Sequence, residues 1–157
     1  MHPWAHGPDG DEASLSDDWF HELFDCYSIN PHPNWGSFDP AIRDDPSLDR
    51  DDNDGAGPEN ISLDWPEQGM TYRVGVHYWN DHGYGRSYAT VRVYLYSSLI
   101  FERPDVLLHN KDMWEVCTIH WPSGKVLPVT GENDSHQIIP DYPLPPWSPS
   151  GDRSEEP

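Results

Sequence analysis

Apolar and polar positions alternate most clearly in two runs in the middle of the chain, Met70 to Trp79 and Tyr88 to Tyr96. The apolar positions are Tyr72, Val74, Val76 and Tyr78 in the first run and Val91, Val93 and Leu95 in the second. A period of two over this length is typical of an antiparallel strand that lays one face on a core. The two runs therefore predict the central strands of a sheet.

Five other apolar runs predict further strands: Trp19 to Ile29, Ile61 to Trp65, Leu99 to Glu102, Met113 to Trp121 and Lys125 to Val129. Turn-forming residues divide these runs, and Ser97-Ser98 predicts a hairpin between the Tyr88 to Tyr96 run and Leu99. No run keeps a helical period for more than a turn or two. Many short strands separated by turns predict an all-β fold, an antiparallel β-sandwich.

The chain of 157 residues is of a length that suits one domain. Residues 1–18 are polar and rich in Gly and Pro, which predicts an irregular N-terminal loop. Residues 19–130 then form the β-sandwich domain, in which residues 43–60 are a long acidic loop. The composition of residues 131–157 predicts a Pro-rich disordered tail.

Acidic residues outnumber basic ones by 28 to 9, and the formal net charge is −19. Nucleic acids and anionic membranes both require a basic surface, so this balance argues against either as a partner. No apolar window approaches the roughly 20 residues that a membrane helix needs, which argues against membrane insertion. Cations, basic proteins and neutral sugars remain as partner classes.

Residues 44–60 of the acidic loop hold seven carboxylates with only Arg50 opposing them. Calcium binds six to eight oxygen ligands, and alternating Asp and Asn positions with a Gly to turn the chain supply such ligands. The predicted calcium ligands are Asp49, Asp51, Asn53, Asp54 and Glu59. The calcium loop of a helix–loop–helix site would require its Gly at the position of Asp54 and its closing Glu at the position of Asn60, so the sequence does not match that template. A solvated acidic linker is the alternative interpretation.

Two other sets of side chains compete with this site. His77, His82 and His120 form an alternative metal set for zinc or copper, and with it a metal-dependent hydrolase. Tyr94 and Tyr96, on the face opposite Val93 and Leu95, are candidates for stacking against sugar rings. Cross-strand packing is the more frequent role of such aromatic residues.

Cys26 and Cys117 allow two interpretations, a long-range disulfide or two buried thiols. Neither cysteine lies in a recognisable nucleophile motif, and no Gly-x-Ser-x-Gly motif is present, so no catalytic residue is predicted. The first residues have neither a basic start nor an apolar segment, and no signal peptide is visible.

Three motifs carry a resemblance to a known family: the Asp-rich run that closes in GPEN, the VGVHYW strand and the DHGYG turn. From about His2 through Val129 the chain resembles the YfaP-like domain of bacterial secreted and surface proteins, including those of myxobacteria. The resemblance implies a β-sandwich without enzymatic activity. It also implies an exported parent protein whose first strand lies upstream of Met1, and it favours the disulfide.

The predicted function is therefore that of a non-enzymatic, extracytoplasmic module, secreted or on the cell surface. Calcium in the acidic loop would stabilise it for binding an unknown protein or glycan. A carbohydrate-binding or adhesion module and a histidine-based hydrolase are the alternatives.

Overall fold

In a computed structural model of the chain, the structure describes residues 2–6, 19–20, 24–50 and 58–143, with the backbone alone for residues 2–6. These residues form ten β-strands: β1 His2–His6, β2 Asp25–Cys26, β3 Pro46–Arg50, β4 Asn60–Leu63, β5 Thr71–His77, β6 Ser87–Leu95, β7 Ser98–Leu108, β8 Met113–His120, β9 Lys125–Pro128 and β10 Gln137–Ile139. A 3-10 turn spans Glu132–Asp134. The described part contains no α-helix, and so none that could cross a membrane. The all-β prediction is confirmed.

The largest sheet is antiparallel and has six strands, in the order β10-β8-β5-β1-β2. Strand β9 pairs with β8 on the same side as β10, so these two short strands share one edge of β8. The β5 and β8 strands pair from Thr71 opposite His120 to His77 opposite Met113, with an irregularity between Val74 and Gly75. The predicted runs Met70 to Trp79 and Met113 to Trp121 thus lie side by side in this sheet.

Two hairpins complete the fold, β3 with β4 and β6 with β7. The β6–β7 hairpin closes through Tyr96 and Ser97, which lie between the paired residues Leu95 and Ser98. Both loop residues have positive φ, 51° and 70°, as a two-residue type I′ turn requires. The turn therefore lies one residue earlier than the predicted Ser97-Ser98.

The largest core lies between the six-stranded sheet and the β6–β7 hairpin. Its buried residues are Val76, Tyr78, Ala89, Val93, Phe101, Val106, Leu108, Trp114, Val116 and Cys117. A neighbouring cluster joins β2, β3 and β5 through Cys26, Trp35, Leu48 and Tyr72. In both clusters β5 contributes the face that alternation predicts. Two layers packed in this way are consistent with a sandwich, and the complete sandwich stays a prediction.

The other face of β5 is buried as well. Trp19, Phe20, Tyr27 and Met113 form a third cluster there, with Tyr142 packed against it. A Cβ at Gly75 would lie 2.5 Å from Met113 Cε and 2.8 Å from the Trp19 ring, so this position is filled by its neighbours. His77 is buried at the same cluster, with its ring centroid 5.2 Å from that of Phe20.

Three segments predicted as irregular contain strands. His2–His6 pairs with β5, so the N-terminal loop prediction is wrong for these residues. Pro46–Arg50 of the predicted acidic loop is β3, and Gln137–Ile139 of the predicted tail is β10. Residues 7–18, 51–57 and 144–157 lie outside the described residues. The predicted strand Trp19 to Ile29 contributes only Asp25–Cys26 among its described residues.

Candidate functional site

An open cavity of about 430 Å³ lies between the segment that follows β4 and the tip of the β6–β7 hairpin. Its lining residues are Leu63, Asp64, Trp65, Pro66, Tyr94, Leu95, Tyr96 and Trp121. We call this cavity the aromatic groove, because four of its eight lining residues carry aromatic rings. Trp65, Tyr94 and Tyr96 are 55%, 57% and 88% exposed. Three large rings at one place are therefore accessible to a ligand.

The hairpin presents Tyr94 and Tyr96 to the groove in two different ways. Tyr94 belongs to the outward face of β6, where it alternates with buried Val93. Tyr96 occupies the left-handed turn, a conformation that costs a non-glycine residue roughly 1–2 kcal/mol. Its ring centroid lies 6.0 Å from that of Trp121, with 46° between the planes. A strained turn thus carries the most exposed ring of the groove.

Trp65 forms the opposite wall, and neighbouring residues fix its backbone. The Trp65 N–H donates to the Arg43 carbonyl at 3.1 Å. Arg43 also forms an ion pair with Asp64, Nη2 to Oδ2 at 2.5 Å. Just beyond, the Glu67 N–H donates to the Tyr72 hydroxyl at 2.7 Å. Burial raises the pKa of Tyr72, and the carboxylates of Glu67 and Asp44 raise it further, so this hydroxyl stays neutral.

Trp121 lies just past the end of β8, where the ladder with β5 continues. Its N–H donates to the Met70 carbonyl at 2.9 Å, and its carbonyl accepts from the Gly69 N–H at 3.0 Å. The central sheet therefore fixes the backbone of Trp121, while Trp65 and Tyr96 reach the groove from two hairpin ends. Because three separate parts of the fold hold these aromatic rings, the groove is preorganised for a flat ligand.

The groove unites the two preferred sugar-stacking residues, Tyr94 and Tyr96, with Trp65 and Trp121. Nothing in the sequence favoured Trp65 and Trp121 over the other aromatic residues of the chain, since Trp65 ends one apolar run and Trp121 another. The Asp64 carboxylate and its partner Arg43 supply charged hydrogen-bonding groups beside the rings. Aromatic walls with a few polar groups are the usual composition of a small-molecule site.

The predicted calcium ligands are placed only in part. Asp49 lies in β3, and the Asn60 side-chain amide donates to its Oδ2 at 2.8 Å. Hydrogen bonds from Ser62 and Ser47, and then from Asn60, lower the pKa of Asp49. Glu59 is half-buried beside the start of β4. Asp51, Asn53 and Asp54 lie outside the described residues. Among the described residues no three His, Cys, Asp or Glu side chains are grouped so as to hold a metal ion.

The three histidines of the alternative metal set are not brought together. His77 and His120 lie at opposite ends of the β5–β8 ladder, about 20 Å apart at the usual strand rise. His77 is buried with its Nε2 2.7 Å from the Tyr142 carbonyl, and His120 contacts the Thr71 and Thr118 hydroxyls. His82 is exposed in a turn, with its ring against Trp79. The prediction that these side chains share one ion is wrong.

The predicted disulfide is also wrong, because Cys26 and Cys117 are free and lie apart. Cys26 pairs with Ala5, Ala5 with Val74, and Val74 with Cys117. Two strands thus separate the cysteines, which at about 4.8 Å per strand spacing places them about 14 Å apart. A disulfide requires Cα atoms closer than about 7 Å.

The fold and the groove define an all-β protein with an exposed aromatic site. The chain matches no family model, no curated protein and no solved structure. The resemblance to the YfaP-like domain stays a prediction.

Proposed function

We propose that this protein is a non-enzymatic, extracytoplasmic carbohydrate-binding module that holds a neutral glycan in the aromatic groove. The observation that carries the proposal is the convergence of Trp65, Tyr94, Tyr96 and Trp121 on one open cavity beside Asp64. The C–H faces of a sugar ring are apolar and pack on flat aromatic rings. The sugar hydroxyls would then hydrogen-bond to the Asp64 carboxylate and the Arg43 guanidinium at the rim.

The charge of the chain supports a neutral ligand over an acidic one. A net charge of −19 repels uronate or sulfated glycans at long range. Arg43 already pairs with Asp64 of the groove, so the local charge balance favours an uncharged partner. Because three of the rings are exposed, a glycan chain can enter the groove without rearrangement.

The test is titration of the purified chain with a panel of neutral and acidic oligosaccharides, followed by variants of the ligand-binding rings. Tyr96→Asn removes the ring while keeping a residue that tolerates positive φ, so the turn is preserved. We expect Tyr96→Asn and Trp65→Ala each to weaken binding of a neutral glycan by about tenfold.

Tyr84→Ala is the matched control, since Tyr84 is a 91% exposed ring away from the groove. It should leave the dissociation constant unchanged. The proposal fails if no neutral oligosaccharide binds, or if Tyr84→Ala weakens binding as much as the groove variants do.

A second proposal keeps calcium as a stabilising ion of the acidic segment. The β3–β4 pairing sets Arg50 opposite Asn60 and places Asp49 beside Asn60, so the described residues on the two sides of the acidic segment lie close together. Asp51, Asn53 and Asp54 would supply further oxygen ligands from that segment, together with Glu59. Asp49 is the weakest member of the set, because hydrogen bonds already occupy its carboxylate.

A further inference from the structure

The outward face of β6 carries a row of large and polar side chains that begins at the aromatic groove. Along this strand every second residue is exposed, and the exposed positions are Tyr88, Thr90, Arg92 and Tyr94. The alternate residues Ala89 and Val93 are buried in the main core. Tyr88 is 62% exposed, so both ends of the row offer an accessible ring. We call these four residues the β6 row.

The middle of the row is polar and its charges are internally balanced. Arg92 Nε lies 2.6 Å from Glu102 Oε2 on the neighbouring strand. The Thr90 hydroxyl accepts a hydrogen bond from the Asp105 N–H at 3.1 Å. Residues 68–131, which include the row, hold five acidic and six basic side chains, whereas the whole chain is strongly acidic. The row is thus close to neutral and has both donors and acceptors.

The dimensions of the row suit a long, thin ligand. Tyr88 and Tyr94 are six residues apart along β6, about 20 Å at the usual rise per residue. Tyr94 also lines the aromatic groove, so the row and the groove form one continuous surface. The middle of the row is an exposed ion pair, Arg92 with Glu102, whereas the centre of a protein interface is depleted in charged residues. A linear chain of sugar rings fits such a track, with rings at both ends and hydrogen-bonding groups between them.

We infer that the β6 row extends the aromatic groove into a track for a linear, uncharged polysaccharide, with Tyr88 holding the sugar rings farthest from the groove. The inference rests on the proposed function, since it gives the same site a substrate class. It adds that recognition covers several consecutive sugar rings, and that the affinity therefore depends on the length of the glycan.

The test compares disaccharides with hexasaccharides of the cello-, xylo-, malto-, laminari- and chito- series by calorimetric titration. The hexasaccharide of the recognised series should bind at least about tenfold more tightly than its disaccharide. Tyr88→Ala should remove most of that difference and leave the disaccharide affinity unchanged. Tyr84→Ala, a change of the same kind outside the row, should keep the difference.

Equal affinity for both lengths, or an unchanged ratio in Tyr88→Ala, would overturn the track while leaving glycan binding at the groove intact. Binding of no glycan at all would overturn both proposals. A synthetic proline-rich peptide with the sequence of residues 140–149 serves as a further probe, because aromatic grooves also bind such peptides. Binding of that peptide in a manner sensitive to Tyr88→Ala, without glycan binding, would assign the surface to a peptide and overturn the polysaccharide.

Discussion

Leu95 at the end of β6 packs against Gly124 in the turn between β8 and β9. A Cβ at Gly124 would lie 3.2 Å from Leu95 Cδ1, and its φ of 74° also favours glycine. This contact joins the tip of the β6–β7 hairpin to the central sheet. It keeps Tyr96 beside Trp121, so the aromatic groove depends on the conformation of a two-residue turn.

Ser97→Gly should stabilise the protein, because glycine adopts the observed φ of 70° without strain. The expected gain is about 0.5–1 kcal/mol after the entropy that glycine adds to the unfolded chain. Thermal and urea unfolding measure it. Ser98→Gly is the control, since Ser98 is the first residue of β7 and should lose stability. A lower melting temperature for Ser97→Gly would contradict the type I′ turn.

Gly75→Ala should destabilise the protein by about 1–3 kcal/mol through overpacking. The added methyl group would meet Met113 Cε at 2.5 Å and the Trp19 ring at 2.8 Å. The Met113 terminus can move, but the Trp19 ring is buried and has little room. The measurement is the free energy of unfolding in urea, with near-UV circular dichroism to follow the Trp environment. Unchanged stability would mean that the second face of β5 is loosely covered.

The two cysteines should be unreactive in the folded protein. Burial, with smaller contributions from Asp49 and Asp25, raises the pKa of Cys26 to about 12. Burial likewise raises the pKa of Cys117 to about 12, against a small lowering by Arg103. At pH 8 a thiol reagent should therefore modify both cysteines only after denaturation. A reducing agent should not change the melting temperature, and a native-state disulfide in the mass spectrum would refute the strand register.

The raised pKa values of the two cysteines also determine how the stability of the protein changes at alkaline pH. The unfolded thiols ionise near pH 9, whereas the folded ones stay protonated to about pH 12. The unfolded state thus loses protons first, and the cysteine contribution to stability is complete below pH 9 and lost between pH 9 and 12. Cys26→Ala/Cys117→Ala should flatten part of this decline in urea unfolding measured across that interval.

Calcium should raise the melting temperature if the acidic segment binds it. The gain reaches about 2.7 kcal/mol when free calcium is 100 times its dissociation constant. Melts in excess EDTA and then in millimolar calcium measure the effect, with magnesium and zinc as comparisons. Asp51→Asn/Asp54→Asn should abolish the response. Asp134→Asn/Asp141→Asn removes the same charge elsewhere and should retain it, and equal losses in both variants would point to general charge screening.

The strands with regular alternation were predictable to within one or two residues. Met70 to Trp79 and Tyr88 to Tyr96 appear as Thr71–His77 and Ser87–Leu95, and Met113 to Trp121 appears as Met113–His120. Their periodicity reflects the alternation of side chains between the two faces of a strand, which is a local property of the sequence. The all-β class follows from these elements alone.

The remaining strands depend on partners that are distant in the sequence. His2–His6 and Pro46–Arg50 have too few apolar positions to show a period, and they become strands by pairing with β5 and β4. Strand β7 continues past Pro104 because Asp105 adopts a φ of 53°, which absorbs the irregular register there.

The candidate site was predictable at Tyr94 and Tyr96, which lie on the exposed face of one alternating run. The contributions of Trp65 and Trp121 could not be predicted, because they depend on how the ends of β4 and β8 meet the tip of the β6–β7 hairpin. The position of each cysteine in the sheet was equally hidden. The distance between two residues in the sequence does not show how many strands separate them in a sheet.

The borders of the six-stranded sheet are built from short pieces. One border is β2, with two residues, and the other is β9 and β10, with four and three residues separated by residues 129–136. A neighbouring molecule that added its own strand at either border could form only a few backbone hydrogen bonds before the ladder ended. Among the described residues, the borders of this sheet therefore offer little for its growth from molecule to molecule.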